Sequence, residues 1–271
     1  MNEQDESASP VQEAPAAAPE APDDAPPARP WGPVLLIGLL ALGAYANALG
    51  GSFHFDDAHA VLENPTIRSA ASLGRFFVDP ATFSVLPQNQ NYRPLLLVSY
   101  ALTAAVTGVK PGPFIFVNLL LHLAGALLVR SALRRILPLL RGSPEREDEW
   151  LATLAGIFFA VHPIFSECVN YVSARSESLS AALALLGLLA YLRARERASW
   201  RWLAGAAVAM FAAAITKAVV VTVPLLVLLL EVAAAERHPW RRVAGRLAVL
   251  FVPTVAGAWL VAKMTPALAV A

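Results

Sequence analysis

Charge is scarce in this chain and cysteine nearly absent. Only 15% of the 271 residues are Asp, Glu, Lys or Arg, while 57% are hydrophobic. Soluble domains use about one-quarter charged residues, so the composition excludes an ordinary water-soluble domain and indicates a polytopic membrane protein. The single cysteine, Cys168, excludes an internal disulfide and has no partner at metal-ligand spacing, which leaves it the part of a small apolar packing residue. No Walker loop, Rossmann glycine pattern, His-Glu-x-x-His or cysteine-pair motif is present, and no soluble stretch is long enough to bind a nucleotide sugar.

What charge there is lies unevenly. Residues 1–30 hold seven acids and one Arg among Pro and Ala, without an aromatic. Such a segment cannot bury enough apolar surface to offset the entropy of ordering, so it reads as a disordered cytoplasmic tail. It is too acidic for a signal peptide. The remaining chain carries 20 bases against 13 acids, an excess that in a membrane chain marks cytoplasmic loops rather than nucleic-acid binding.

Apolar runs follow at about 32–49, 113–133, 151–169, 179–192, 202–215, 219–232 and 244–261. A shorter one at about 94–109 is marginal for crossing. Thirteen arginines between Arg130 and Arg246 fall in alternate loops, and all share one face with the tail if 94–109 does not cross. Only Lys110, Pro111 and Gly112 would join it to the next run, too few for a comfortable reversal. The reading is therefore an all-α polytopic protein of about seven transmembrane helices, with residues 31–271 as one multi-pass domain. Residues 51–112 form an extracytoplasmic loop with short amphipathic interfacial helices. The runs at 179–192 and 202–215 are short of the roughly 20 residues expected, and must borrow flanking residues or cross a locally thinned bilayer.

This topology gathers the remaining polar groups on the extracytoplasmic side, where charge near lipid needs a reason. Asp56 and Asp57 close Phe53-His54-Phe55-Asp56-Asp57 directly after the first span. They either cap its wet end or meet a reactant. Pro163 breaks a helix so that His162 and Glu167 project into an outer loop, His162 having an interfacial structural role as its alternative. Arg93 and Arg175 have the fork to hold a phosphate or can pair with neighbours such as Glu177. Lys217 sits between two apolar runs and either snorkels or finds a partner. No cofactor motif is present. A divalent ion held by Asp56 and Asp57 with the flanking His54 and His59 is an open alternative.

Taken in order, Phe-x-Phe-Asp-Asp (53–57), Asn-Pro-Thr-Ile-Arg (64–68), Asn-Tyr-Arg-Pro-Leu (91–95), Phe-x-Phe-Val-Asn-Leu-Leu-Leu-His (114–122), Phe-Ala-Val-His-Pro-Ile-Phe-Ser-Glu-Cys-Val (159–169) and Ser-Ala-Arg-Ser-Glu (173–177) form a pattern. It resembles the transmembrane and tetratricopeptide-repeat O-mannosyltransferases and their bacterial relatives, from about residue 33 to 235. The resemblance implies a C-type glycosyltransferase fold in a bacterial inner membrane. Its implied reaction passes a hexose, mannose first, from a polyprenyl-phosphate carrier to a protein Ser/Thr or other hydroxyl on the extracytoplasmic face. It makes Asp56 the general base with Asp57 in support. Arg93, Arg175 and Lys217 would stabilise the departing phosphate, and His162, Glu167 and Glu177 would stand around the substrates.

Two departures accompany the likeness. Lys217 is followed by Ala218 where the family commonly has an acid, and no 34-residue helical repeat is found before the chain stops at Ala271. The expectation is a fragment of a longer reading frame, a chain that needs a partner, or an inactive remnant. A transporter or flippase of a lipid-linked intermediate and a non-catalytic scaffold remain the alternatives. The first predicts polar residues at span centres, and these are almost wholly Leu, Ala and Val.

Overall fold

The structure is a computed structural model describing residues 31–234 and 240–265; the expected disordered tail, residues 1–30, lies outside the described residues. Every regular element among the described residues is helical. The helices are α1 (Gly32–Tyr45), α2 (Pro94–Thr107), α3 (Pro111–Arg141), α4 (Arg146–Val161), α5 (Ser166–Asn170), α6 (Arg175–Arg197), α7 (Trp200–Thr216), α8 (Val223–Ala233) and α9 (Trp240–Met264).

Local chemistry sets their ends. Pro94 and Pro111 open α2 and α3 in the first turn, where a missing N–H costs nothing. Gly108 and Gly142 close the same helices with φ of 69° and 84°, the left-handed region that glycine enters freely. Glu145 and Asp148 cap the start of α4 reciprocally, each side chain accepting from the other's backbone N–H. At the far end of α4 the His162-Pro163 step stops the helix, and the chain turns through 49° into α5.

The helices run between two chemically distinct ends. One collects the arginines. There Arg141 pairs with Glu145 and Asp148, Arg134 with Glu149, and Arg135 with Glu196, while Glu231 meets Arg195 and the Tyr191 hydroxyl. Trp31, Trp150, Trp200 and Trp240, each at or near the start of a helix at this end, are exposed. Such a ring of amphipathic rings marks a boundary between lipid and water. The other end carries residues 51–93 and the acidic pair. Between the ends, Leu35, Leu39, Leu225, Leu226 and Leu229 are exposed on α1 and α8, as expected of surfaces that face acyl chains.

Four helical stretches are long and apolar enough to cross a membrane, five if the bent α4–α5 pair counts as one. With these, the chain is an integral membrane protein. The run expected at 179–192 does borrow its flanks, since Val172–Arg197 is continuously helical over 26 residues. The stretches at α7 (17 residues) and Ala218–Ala233 remain shorter.

Helix α2 meets α6 at the acidic-pair end. Arg93 at its start reaches Ser176, and Thr103, ten residues on, reaches Arg175 beside it, so both meet one turn of α6. One expectation changes. Residues 51–90 form isolated single turns, mostly 3₁₀, instead of short amphipathic helices. Pro65, Pro80 and Pro87 interrupt the segment at short intervals. Asn64 holds it together instead: its amide donates to the carbonyls of Ala60, Thr82 and Phe83, while its oxygen accepts from Thr66.

Small residues bring the helix backbones close. A Cβ on Gly156 of α4 would lie 2.9 Å from Ile37 of α1 and 3.2 Å from the Ala126 carbonyl of α3, whereas one on Gly205 of α7 would meet nothing within 4 Å. Gly156→Leu is therefore expected to lower stability by about 1–3 kcal/mol through overpacking. Gly205→Leu should be nearly neutral, as read by thermal unfolding of the two variants in detergent.

Candidate functional site

The two adjacent aspartates have separate surroundings. Asp57 is fully buried. Its Oδ1 accepts from the Ser173 backbone N–H at 2.8 Å and the Ser173 hydroxyl at 2.6 Å, and its Oδ2 from the His54 N–H at 3.1 Å. The Asp56 side chain is 62% exposed, with His59 Nε2 3.4 Å away. A turn at Phe55, whose φ of 45° is unusual for a bulky residue, points the two acids apart. The Asp56 backbone N–H donates to the Tyr171 hydroxyl at 3.1 Å, which ties this turn to the chain just before α6. Burial raises the Tyr171 pKa, and the hydrogen bond from the Asp56 N–H opposes it only in part.

Behind the acids lies Arg175, with no solvent exposure. Its Nε donates to Asn118 Oδ1 and its Nη2 to the Phe114 carbonyl, both at 2.8 Å, while Nη1 reaches Ser99 and Thr103. The rings of Tyr100 and Phe114 cover it at 4.9 and 5.1 Å. Asn118 in turn donates to the carbonyls of Val169 and Tyr171. The guanidinium is thus enclosed and used within the protein, fastening α2, α3 and α6 together.

Two cations remain near the surface. Arg93 Nη1 donates to Ser176 Oγ at 3.2 Å, its guanidinium lies 5.7 Å from the Phe83 ring centre, and it stands within the electrostatic reach of Asp56. Lys217 pairs with Glu177. Burial first, and then the Arg93 charge, hold the Lys217 ammonium below the ordinary lysine pKa, while Glu167 pulls the other way. Asp56, Arg93, Glu167, Glu177 and Lys217, expected from sequence to share a face, accordingly gather at one end. His162 does not join them. Its Nδ1 accepts from the Ile164 N–H, and its ring packs on Phe158 and Phe165.

A metal finds little to hold. Among the described residues no three His, Cys, Asp or Glu side chains are grouped as metal ligands. His59 has both ring nitrogens engaged, Nδ1 with Ser84 at 2.9 Å and Nε2 with Asn89 at 2.8 Å. The residues that sequence reading missed are ones that position the acids, Ser173, Tyr171 and Asn118, while His59, expected only as a possible metal ligand, neighbours Asp56. Asn118 and His122 were visible as polar residues four apart in an apolar run, and His122 serves the Ala160 carbonyl, which Ile164 leaves without its helical donor.

No family model matches the chain, and no solved structure matches it. Curated proteins do. The protein O-mannosyl-transferase TMTC4 of Mus musculus is 31% identical over 173 residues, covering 61% of this chain and 23% of its own length. TMTC2 of Mus musculus is 29% identical, with coverage of 63% and 20%, and TMTC1 of Homo sapiens 30%, with 62% and 19%. The chain spans about a fifth of the length of these relatives. They bear out the resemblance carried by the motifs between residues 53 and 177.

Removal of the buried acceptor should be felt in folding. Asp57→Asn presents an amide N–H to the His54 N–H, so a loss of about 1–3 kcal/mol is expected. Arg175→Lys gives up the planar fork and should cost at least as much. Melting temperatures of the two variants in detergent, lowered in both cases, are the check.

Proposed function

We propose that this chain, related through its membrane portion to the protein O-mannosyl-transferases, takes part in moving a hexose from a polyprenyl-phosphate carrier to a protein hydroxyl, with Asp56 as general base. The observation that carries the reading is the division between the two acids, one locked and buried, the other open to solvent and within electrostatic reach of Arg93. A Ser or Thr hydroxyl attacks poorly until its proton is taken in the transition state, and a positioned carboxylate contributes roughly 10²–10⁴-fold. As the bond to the sugar breaks, negative charge gathers on the leaving phosphate. Arg93 and Lys217 are the cations placed to meet it. Direct attack with a single base inverts the anomeric carbon.

Within this proposal, residues 31–271 form one membrane domain of seven crossing segments in a C-type glycosyltransferase arrangement, with α2 at the interface. The arginine-rich end faces the cytoplasm by the positive-inside rule, which puts the acidic pair and residues 51–112 outside, in a bacterial inner membrane. The enclosed Arg175 then acts by holding the chain that positions Tyr171 and Ser173, and the phosphate role rests with Arg93 and Lys217. Glu167 and Glu177 border the acceptor side, and Asp57 supports Asp56 by anchoring its turn.

Asp56→Asn, made in the full-length protein, is expected to abolish sugar transfer, a fall of about 10²–10⁴-fold, with membrane insertion and melting unchanged. Undiminished transfer overturns the assignment. Donor binding should weaken as pH rises through the Lys217 titration, because the ammonium is cationic only below its pKa, and this loss should begin below the usual lysine range. Lys217→Arg should remove that alkaline limb from a binding curve measured against pH.

A further inference from the structure

We infer that a cleft at the arginine-rich end, between α3, α6 and the first turn of α7, binds one anionic phospholipid of the surrounding membrane. The cleft encloses about 630 Å³ and changes character along its length. Its lower part is lined by Leu128, Leu186 and Leu189, and its upper part by Arg135, Arg193 and Trp202. Acyl chains match the first surface and a phosphodiester the second.

The charges favour an anion. Arg135 is matched by Glu196, donating to both of its oxygens at 2.6 and 2.5 Å, and Arg134, also on the rim, turns away to Glu149. Arg193 has no acid within ion-pair distance among the described residues; its guanidinium lies 4.8 Å from the Trp202 ring centre. One positive charge therefore faces the cleft uncompensated, held in place by an aromatic ring. It stands at the level of the exposed tryptophans that mark the lipid boundary. A phosphodiester carries one negative charge, and the fork of Arg193 offers it two donors. From Arg193 to Leu186 is about two helical turns, roughly 10 Å, so a headgroup at the rim places the first half of its chains against the leucines. This site lies at the opposite end of the helices from the acidic pair and does not depend on the sugar-transfer reading.

The test uses the whole chain, purified in detergent and titrated with phosphatidylglycerol or with phosphatidylcholine of the same acyl chains. Native mass spectrometry counts bound lipid. Phosphatidylglycerol should bind in preference, and the double variant R135Q/R193Q should weaken it about 30-fold, from the loss of two interfacial cations. R241Q, on α9 and outside the cleft, should bind as the parent protein does. If the double variant fails to fold, R193Q alone, which breaks no ion pair, should show about a fivefold loss. Equal binding of the two lipids, retention of phosphatidylglycerol by the Arg193 variants, or full competition by glycerol phosphate without acyl chains would each overturn the site.

Discussion

A guanidinium sealed inside a helical bundle is the constraint from which the rest of the acidic-pair end follows. Taking Arg175 out of water is costly, and that cost is offset only if its donors are met. The acceptors come from two elements distant in sequence from α6: Ser99 and Thr103 on α2, Phe114 and Asn118 on α3. None can shift alone without stranding a buried charge. This explains how α2 is held against α3 and α6. It also explains why the chain just before α6 is rigid enough for Ser173 to grip Asp57 and for Tyr171 to accept from the Asp56 backbone.

The two ends of the molecule use the same residue type in opposite ways. At the acidic-pair end one arginine is buried and satisfied largely by neutral oxygens. At the other, Arg134, Arg135 and Arg141 pair with the exposed or half-exposed carboxylates of Glu149, Glu196 and Glu145, where each pair contributes little to stability, while Asp148 and Glu231 are buried partners. In the proposed topology the collective effect of these arginines is orientation, because a surplus of cations at one membrane face resists translocation.

Much of this was legible in the sequence. Helical class and the break at Pro163 followed from apolar run length and proline chemistry. Arg175 did not. An arginine beside a glutamate at a helix start reads as surface, and its burial depends on acceptors supplied by α2 and α3, which no local pattern announces. The turns of residues 51–90 were read as amphipathic helices because their Phe and Arg residues alternate suitably, yet frequent prolines and the side-chain bonds of Asn64 dictate otherwise. The split between Asp56 and Asp57 was expected only in outline. Which acid is buried is decided by Ser173, over a hundred positions away.

Phe55 carries a consequence of its own. A bulky residue in the left-handed region costs on the order of 1–3 kcal/mol, which glycine would largely recover. Glycine would also loosen the backbone immediately before Asp56, so the carboxylate would sample many directions and only a fraction of molecules would aim it well at any instant. The aromatic side chain therefore exchanges conformational ease for a stiff pivot, and thermal robustness and carboxylate aim stand in direct opposition at this one residue.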